Sequence, residues 1–208
     1  MKLSDQYEFT NKWFEDSARK VWDSLVLQLK PKRILEIGSY EGASTCYLIE
    51  KLAVTEQIEI HCVDTWEGGL EHRALEMPSV EKRFHRNIKT ARERVGNHVE
   101  IFLHKGMSDV TLCKLLAEGK HGYFDFIYVD GSHQAPDVLC DAILSFRLLR
   151  NNGVIAFDDY LWQERLQSGT DPVRCPKPAI DAFTNIYCRK IRLLSAPLYQ
   201  VYVQKLND

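Results

Sequence analysis

The feature that most constrains this chain is a regular alternation of short apolar runs with longer amphipathic ones. RILEIG (33–38), IEIHCVD (58–64), VEIFLHKG (99–106), FDFIYVDG (124–131) and VIAFDD (154–159) read as strands. Between them, ASTCYLIEKLA (43–53), SVEKRFHRNIKTARERV (79–95), DVTLCKLLAEG (109–119) and APDVLCDAILSFRLLR (135–150) read as helices, with NNG (151–153) as a turn. This order predicts an α/β fold, a mostly parallel sheet with helices on both faces. Ahead of it, residues 5–30 read as one helix, with an apolar stripe of Phe14, Ala18, Val21, Trp22, Leu25 and Leu29 that Pro31 ends. The tail breaks the alternation. PKPAIDAFTNIYCRK (176–190) reads as a helix, and IRLLSA (191–196) and YQVYVQKL (199–206) as an antiparallel pair at one sheet edge.

At 208 residues the chain fits one domain, with a helical segment over 1–31, an alternating core over 32–160 and a loop, helix and strand pair over 161–208. A net charge of −2 offers no basic excess for a phosphate backbone, so no nucleic-acid partner is expected. The N-terminus lacks the apolar core of a signal peptide, and no apolar run approaches the ~20 residues of a membrane span. Six cysteines lie far apart without a CxxC pair, which points to buried thiols in a reducing cytoplasm rather than a zinc site.

Ligands of open α/β sheets bind outside the carboxyl ends of the strands, and four of those ends carry polar residues here. In Glu36–Ile37–Gly38–Ser39–Tyr40–Glu41–Gly42 the glycines permit a tight strand-to-helix turn and close approach of a ligand to the backbone. Asp64 follows Gly42 by 22 residues, an offset that suits a carboxylate accepting ribose hydroxyls. Glycine after a strand is also common, Asp64 could simply cap a loop, and the loop is not GxGxxG. The other two ends are Asp130–Gly131–Ser132–His133 and Asp158–Asp159–Tyr160. Adjacent parallel strands would let Asp130 meet Asp158 and Asp159, and three carboxylates together call for protons or a cation such as Mg²⁺, Mn²⁺ or Ca²⁺. Alternatively they cap helices or bind loop amides.

The ordered set LEIGSYEGAST, HCVDTW, KGMSD, IYVDGSH and GVIAFDDY resembles class I S-adenosylmethionine-dependent methyltransferases, in particular the catechol O-methyltransferase-like and macrocin O-methyltransferase-like branches. The resemblance covers residues 33 to about 160 and implies a Rossmann-like seven-stranded sheet whose last strand is antiparallel. It implies that Glu36, Gly38, Ser39 and Gly42 surround the methionine portion of S-adenosylmethionine, that Asp64 holds the ribose, and that Met107 and Ser108 lie beside the adenine. It further implies that Asp130, Asp158 and Asp159 bind Mg²⁺ or Mn²⁺, with Asp130 also facing the cofactor and the reacting atoms. His133 stands where catechol-type enzymes place a lysine base. An imidazole can serve as that base, or it can merely contact the loop.

The implied reaction is in-line O-methylation of a small-molecule or sugar hydroxyl, with a sugar preferred and a phenol second. The segments Trp66–His72 and Tyr160–Pro176 are placed to line the acceptor pocket, although Trp66 reads rather as packing. The N-terminal aromatic stripe would serve as core or as the surface of a homodimer. Two rival readings are a nucleotide-binding oxidoreductase on the same fold and a non-catalytic cofactor-binding protein.

Overall fold

A computed structural model describes residues 7–54, 56–69, 76–164, 166–167 and 169–208. Seven strands form one sheet: β1 (Arg33–Ile37), β2 (Ile58–Asp64), β3 (Val99–Lys105), β4 (Phe124–Val129), β5 (Leu149–Phe157), β6 (Ile191–Leu194) and β7 (Val201–Lys205). Their spatial order is β3-β2-β1-β4-β5-β7-β6. The first five are parallel, and β7 runs antiparallel to both β5 and β6. The expected sheet and its antiparallel tail are therefore both present.

The strand runs alternate between two faces. On one, Ile34, Ile60, Cys62, Phe126, Tyr128, Val154 and Ala156 pack against α4 (Ala43–Leu52), α5 (Met77–Val95) and the N-terminal segment. On the other, Leu35, Ile37, Val63, Ile127, Val129, Ile155, Phe157 and Val203 pack against α6 (Ser108–Ala117), α7 (Ala135–Leu148) and α8 (Lys177–Ile186). Both faces are covered, which is why the central strands are apolar at nearly every position.

Two expectations need correction. The single helix over 5–30 is three short helical turns among the described residues, α1 (Trp13–Asp16), α2 (Arg19–Trp22) and α3 (Leu25–Leu29). At the breaks the Ser17 and Ser24 hydroxyls donate to the carbonyls of Trp13 (2.7 Å) and Val21 (3.0 Å), which offers the backbone an alternative to continuing the helix. The stripe survives in part: Phe14, Ala18, Trp22 and Val26 are buried, whereas Val21, Leu25 and Leu29 are only partly so. The NNG turn lies inside β5, whose register against β4 jumps from Phe124↔Leu149 to Phe126↔Val154. The strand thus absorbs the turn as an irregularity, with Asn152 at φ 63°.

The sheet brings the polar strand ends into one row. Ile37 pairs with Val63 on one side and Val129 on the other, and Val129 pairs with Phe157. Hydrogen bonding continues one step further, from Gly38 N to Val63 O (2.8 Å), Asp130 N to Ile37 O (2.8 Å) and Asp158 N to Val129 O (3.0 Å). Asp64, Gly38, Asp130 and Asp158 therefore follow the last paired residues side by side, at the point between β1 and β4 where the strand order reverses. Gly38 is required there: its φ is +86°, and a Cβ would stand 1.9 Å from the carbonyl oxygen of Asp130.

Away from this row, His61 on β2 is buried and stacks on Phe102, with ring centroids 4.6 Å apart. Its Nδ1 lies 2.8 Å from His104 Nε2, and its Nε2 lies 2.6 Å from Glu59 Oε1. Burial, only partly opposed by Glu59, pushes the His61 pKa down from 6.5 to about 4. The unfolded chain thus binds a proton in this range that the folded chain refuses, so stability is full above pH 6.5 and falls as pH drops toward about 4. A series of thermal unfolding midpoints across that range should show the loss in the wild type and a shallower slope in His61→Gln. Equal slopes would mean that other groups carry the acid sensitivity.

Candidate active site

The turn after β1 is built around a buried carboxylate. Glu36 accepts hydrogen bonds from the hydroxyls of Ser39 (2.7 Å), Ser44 and Thr45, the last two from the first turn of α4. Burial pushes its pKa up, and the three hydroxyls oppose that shift by favouring the ionised form. Glu36 therefore ties the end of β1 to the start of α4, and Gly42 enters that helix at φ +80°. Asp64 holds the same turn from β2: its Oδ2 accepts from the amides of Ser39 (2.9 Å) and Tyr40 (2.8 Å), and its Oδ1 from the amide of Trp66 (2.7 Å). Asp64 is thus a loop anchor, and of the about four acceptor positions of a carboxylate the three amides leave about one open.

A second layer braces this turn. Glu41, buried, accepts from the Thr10 amide (2.7 Å), the Thr10 hydroxyl (2.8 Å) and Arg83 Nε (2.6 Å). Asn87 donates to the Glu41 carbonyl (2.9 Å) and accepts from the Glu8 amide (2.8 Å). The chain ahead of α1 is thereby strapped against the turn, and Trp13 packs on Tyr40 with ring centroids 5.2 Å apart. Trp66 packs on Phe84 and donates from its indole to the Tyr40 carbonyl (3.0 Å), a packing role as expected. Residues 70–72 of the Trp66–His72 segment lie outside the described residues. Met107 stands exposed immediately before α6, and Ser108 is that helix's first residue.

Across the switch point the acidic residues gather. Asp130, His133 and Asp159 each offer a ligand atom within 4.8 Å of the others. His133 Nε2 is 2.8 Å from Asp159 Oδ2, and the imidazole lies nearly parallel to Trp162 with centroids 4.3 Å apart. Asp159 reaches this position from a left-handed backbone, φ +54°. Asp158 is oriented differently: one oxygen accepts from the buried Tyr128 hydroxyl and the other from the Asp159 amide (2.8 Å). Burial and then the neighbouring carboxylates push Asp130 well above the usual carboxylate range, and Asp158 is raised for the same reasons. A small cleft opens over these groups, lined among others by Ser132, Val138, Phe157 and Pro176.

Several residues of this site were not singled out individually by the sequence. Tyr128 lies in the IYVDGSH run but reads there as apolar core, and Trp162 belongs to the expected acceptor-side segment without a role of its own. Tyr199 sits in the turn between β6 and β7, yet its pKa is raised, first by burial and then by the Asp159 and Asp158 charges, so it lies near the acidic cluster. Strand pairing delivers it there: the Tyr160 amide donates to the Tyr199 carbonyl at 3.0 Å.

Residues 35–160 match the model of a methyltransferase domain. The chain is 26% identical over 167 residues to a Dictyostelium discoideum protein named "Probable caffeoyl-CoA O-methyltransferase 3", covering 76% of this chain and 59% of the relative. It is 30% identical over 139 residues to caffeoyl-CoA O-methyltransferase 1 of Zea mays, covering 66% and 46%. The chain thus spans about half the length of these relatives. Among solved structures, an O-methyltransferase of Bacillus cereus in complex with SAH superposes with a TM-score of 0.64 at 20% identity, covering 89% of this chain and 80% of that one. The family match over most of the core, joined to the sheet order and its switch-point row, leads to one assignment: this chain belongs to the class I S-adenosylmethionine-dependent methyltransferases.

Proposed function

We propose that this chain transfers the methyl group of S-adenosylmethionine to a hydroxyl oxygen of a small molecule, assisted by a divalent cation at the Asp130 cluster. The observation that carries this reading is the row of strand ends. It sets Asp64, at the end of β2, and Asp130, at the end of β4, about two strand spacings apart, roughly 10 Å. That separation suits a methyl donor lying across the switch point with its sulfonium between the two.

In this reading Glu36, Gly38, Ser39 and Gly42 shape the methionine pocket, the remaining acceptor position of Asp64 takes a ribose hydroxyl, and Met107 and Ser108 flank the adenine. Asp130 and Asp159, with Asp158 beside them, hold the cation. Crowded carboxylates form an oxygen donor set that fits Mg²⁺ or Mn²⁺, and Asp130 is raised first by burial and then by the like charges of Asp158 and Asp159, which a cation would relieve. When bound, the cation supplies Lewis-acid charge that makes the acceptor hydroxyl more acidic. His133, its ring held by Trp162 and Asp159, takes the hydroxyl proton. The acceptor oxygen forms its bond to the methyl carbon as the carbon–sulfur bond breaks, leaving S-adenosylhomocysteine. Two relatives named for caffeoyl-CoA favour a phenol over the sugar hydroxyl that the sequence reading puts first.

Three measurements test this reading. Calorimetry should show S-adenosylhomocysteine binding that Asp64→Ala weakens by about 1–3 kcal/mol, the range for a charged hydrogen-bond partner. An unchanged affinity would remove Asp64 from the cofactor site. With radiolabelled cofactor and a panel of phenols and sugars, methyl transfer should stop in EDTA and return with Mg²⁺ or Mn²⁺; undiminished transfer in chelator would sink the cation's role. His133→Ala should lower kcat by about 10²–10⁴ with S-adenosylhomocysteine affinity preserved. A rise in KM at constant kcat would instead make His133 a binding group.

A further inference from the structure

The inference that follows rests on the reading that Met107 and Ser108 flank the adenine, and it concerns what holds them in place. Asp141 lies in the middle of α7 and is 1% exposed. Neither of its carboxyl oxygens meets a hydrogen-bond donor among the described residues, and the Ser145 hydroxyl one turn further along α7 has no partner either. Buried polar groups in native folds are ordinarily hydrogen-bonded, so this carboxyl calls for an explanation. It stands at the start of α6, where Ser108 and Asp109, the first two residues of that helix, both act on its ionisation. Leu112, one turn into α6, shares a core cluster with Val138 and Ala142, which lie on either side of Asp141 in α7. The start of α6 has no side-chain cap of its own, because Met107 occupies the cap position.

We propose that Asp141 is a positioning residue for the cofactor: its protonated carboxyl braces α7 against the first turn of α6, and its ionisation loosens the Met107–Ser108 edge and weakens cofactor binding. An anion is favoured at a helix N-terminus, but here burial outweighs that attraction. Burial pushes the Asp141 pKa from 3.8 up to about 7; the Ser108 hydroxyl opposes the shift, and the Asp137 and Asp109 charges add to it. Those two carboxylates face it from α7 and α6, and Cys140 and Cys113 are the further titratable groups at this contact. From the other elements packed on α7 come apolar residues such as Ile127, Phe157 and Phe183, while Lys177 and Asp181 of α8 engage Tyr160, and Arg174 engages Glu164. A charge at Asp141 is therefore relieved by admitting water between α6 and α7. A cofactor that holds the start of α6 closed favours the protonated form, so its affinity falls as pH rises through about 7.

The test titrates S-adenosylhomocysteine by calorimetry, without metal, into the wild type, Asp141→Asn and Asp141→Ala. The wild type should bind roughly threefold to tenfold more weakly at pH 8 than at pH 6, within the tenfold-per-unit limit of one coupled proton. Asp141→Asn, neutral at every pH and nearly the same shape, should hold its affinity across that range, whereas Asp141→Ala should bind weakly already at pH 6. In parallel, hydrogen exchange without cofactor should show protection of the first-turn amides of α6 falling from pH 6 to pH 8 in the wild type and steady in Asp141→Asn. Wild-type affinity independent of pH, or the same slope in Asp141→Asn, would overturn the proposal, as would α6 protection that does not change with pH. Absence of S-adenosylhomocysteine binding at every pH would count against methyl transfer, and the exchange measurement then judges the brace alone.

Discussion

The hydrogen bonds that run one step past the ends of β1, β4 and β5 are the constraint on which the rest depends. They fix Gly38, Asp130 and Asp158 in a single row beside Asp64, on strands spaced about 4.8 Å apart. Once the row is set, the Glu36 turn and the acidic cluster have no freedom to separate. The close packing of Gly38 against the Asp130 carbonyl shows how little room the arrangement leaves. The site is built on the rigid part of the fold, and the loops only complete it.

The two halves of the row handle buried charge in opposite ways. Glu36 is fully buried, yet three hydroxyls, two of them from the start of α4, satisfy its oxygens, so the carboxyl becomes a structural tie. Around Asp130 the neighbours are other carboxylates, and the cost of proximity is left to protons or a cation. Asp158 stands between these cases: its oxygens are engaged by the Tyr128 hydroxyl and the Asp159 amide, so it shapes the loop that presents Asp159.

The antiparallel tail borders the end of β5. β7 returns alongside β5, and the turn that precedes it is tied by Tyr199 to Tyr160, next to Asp159. Buried lysine supports the same strand: Lys205 Nζ donates to the carbonyls of Phe146 (3.0 Å) and Leu149 (2.9 Å) where α7 ends. The tail thus closes the sheet. The N-terminal segment braces the turn after β1 through Thr10 on Glu41.

Much of this was legible in the chain itself. Apolar runs separated by helical stripes bury both sheet faces in only a few ways, so the parallel sheet, its antiparallel tail and the polar strand ends follow from local sequence. The sequence therefore determined the parallel core and the residues that stand at its carboxyl edge, including Glu36, Asp64, Asp130 and Asp159. It did not determine where the N-terminal helix breaks, because serine hydroxyls compete with backbone bonding by margins that pattern does not record. Nor did it pair His61 with His104, choose Asp159 over Asp158 to face His133, or bring Tyr199 to the cluster. Those outcomes depend on register between distant strands and on side-chain direction at a left-handed residue. Both arise only when the strands pair and the chain closes on itself, so the tertiary structure alone decided them.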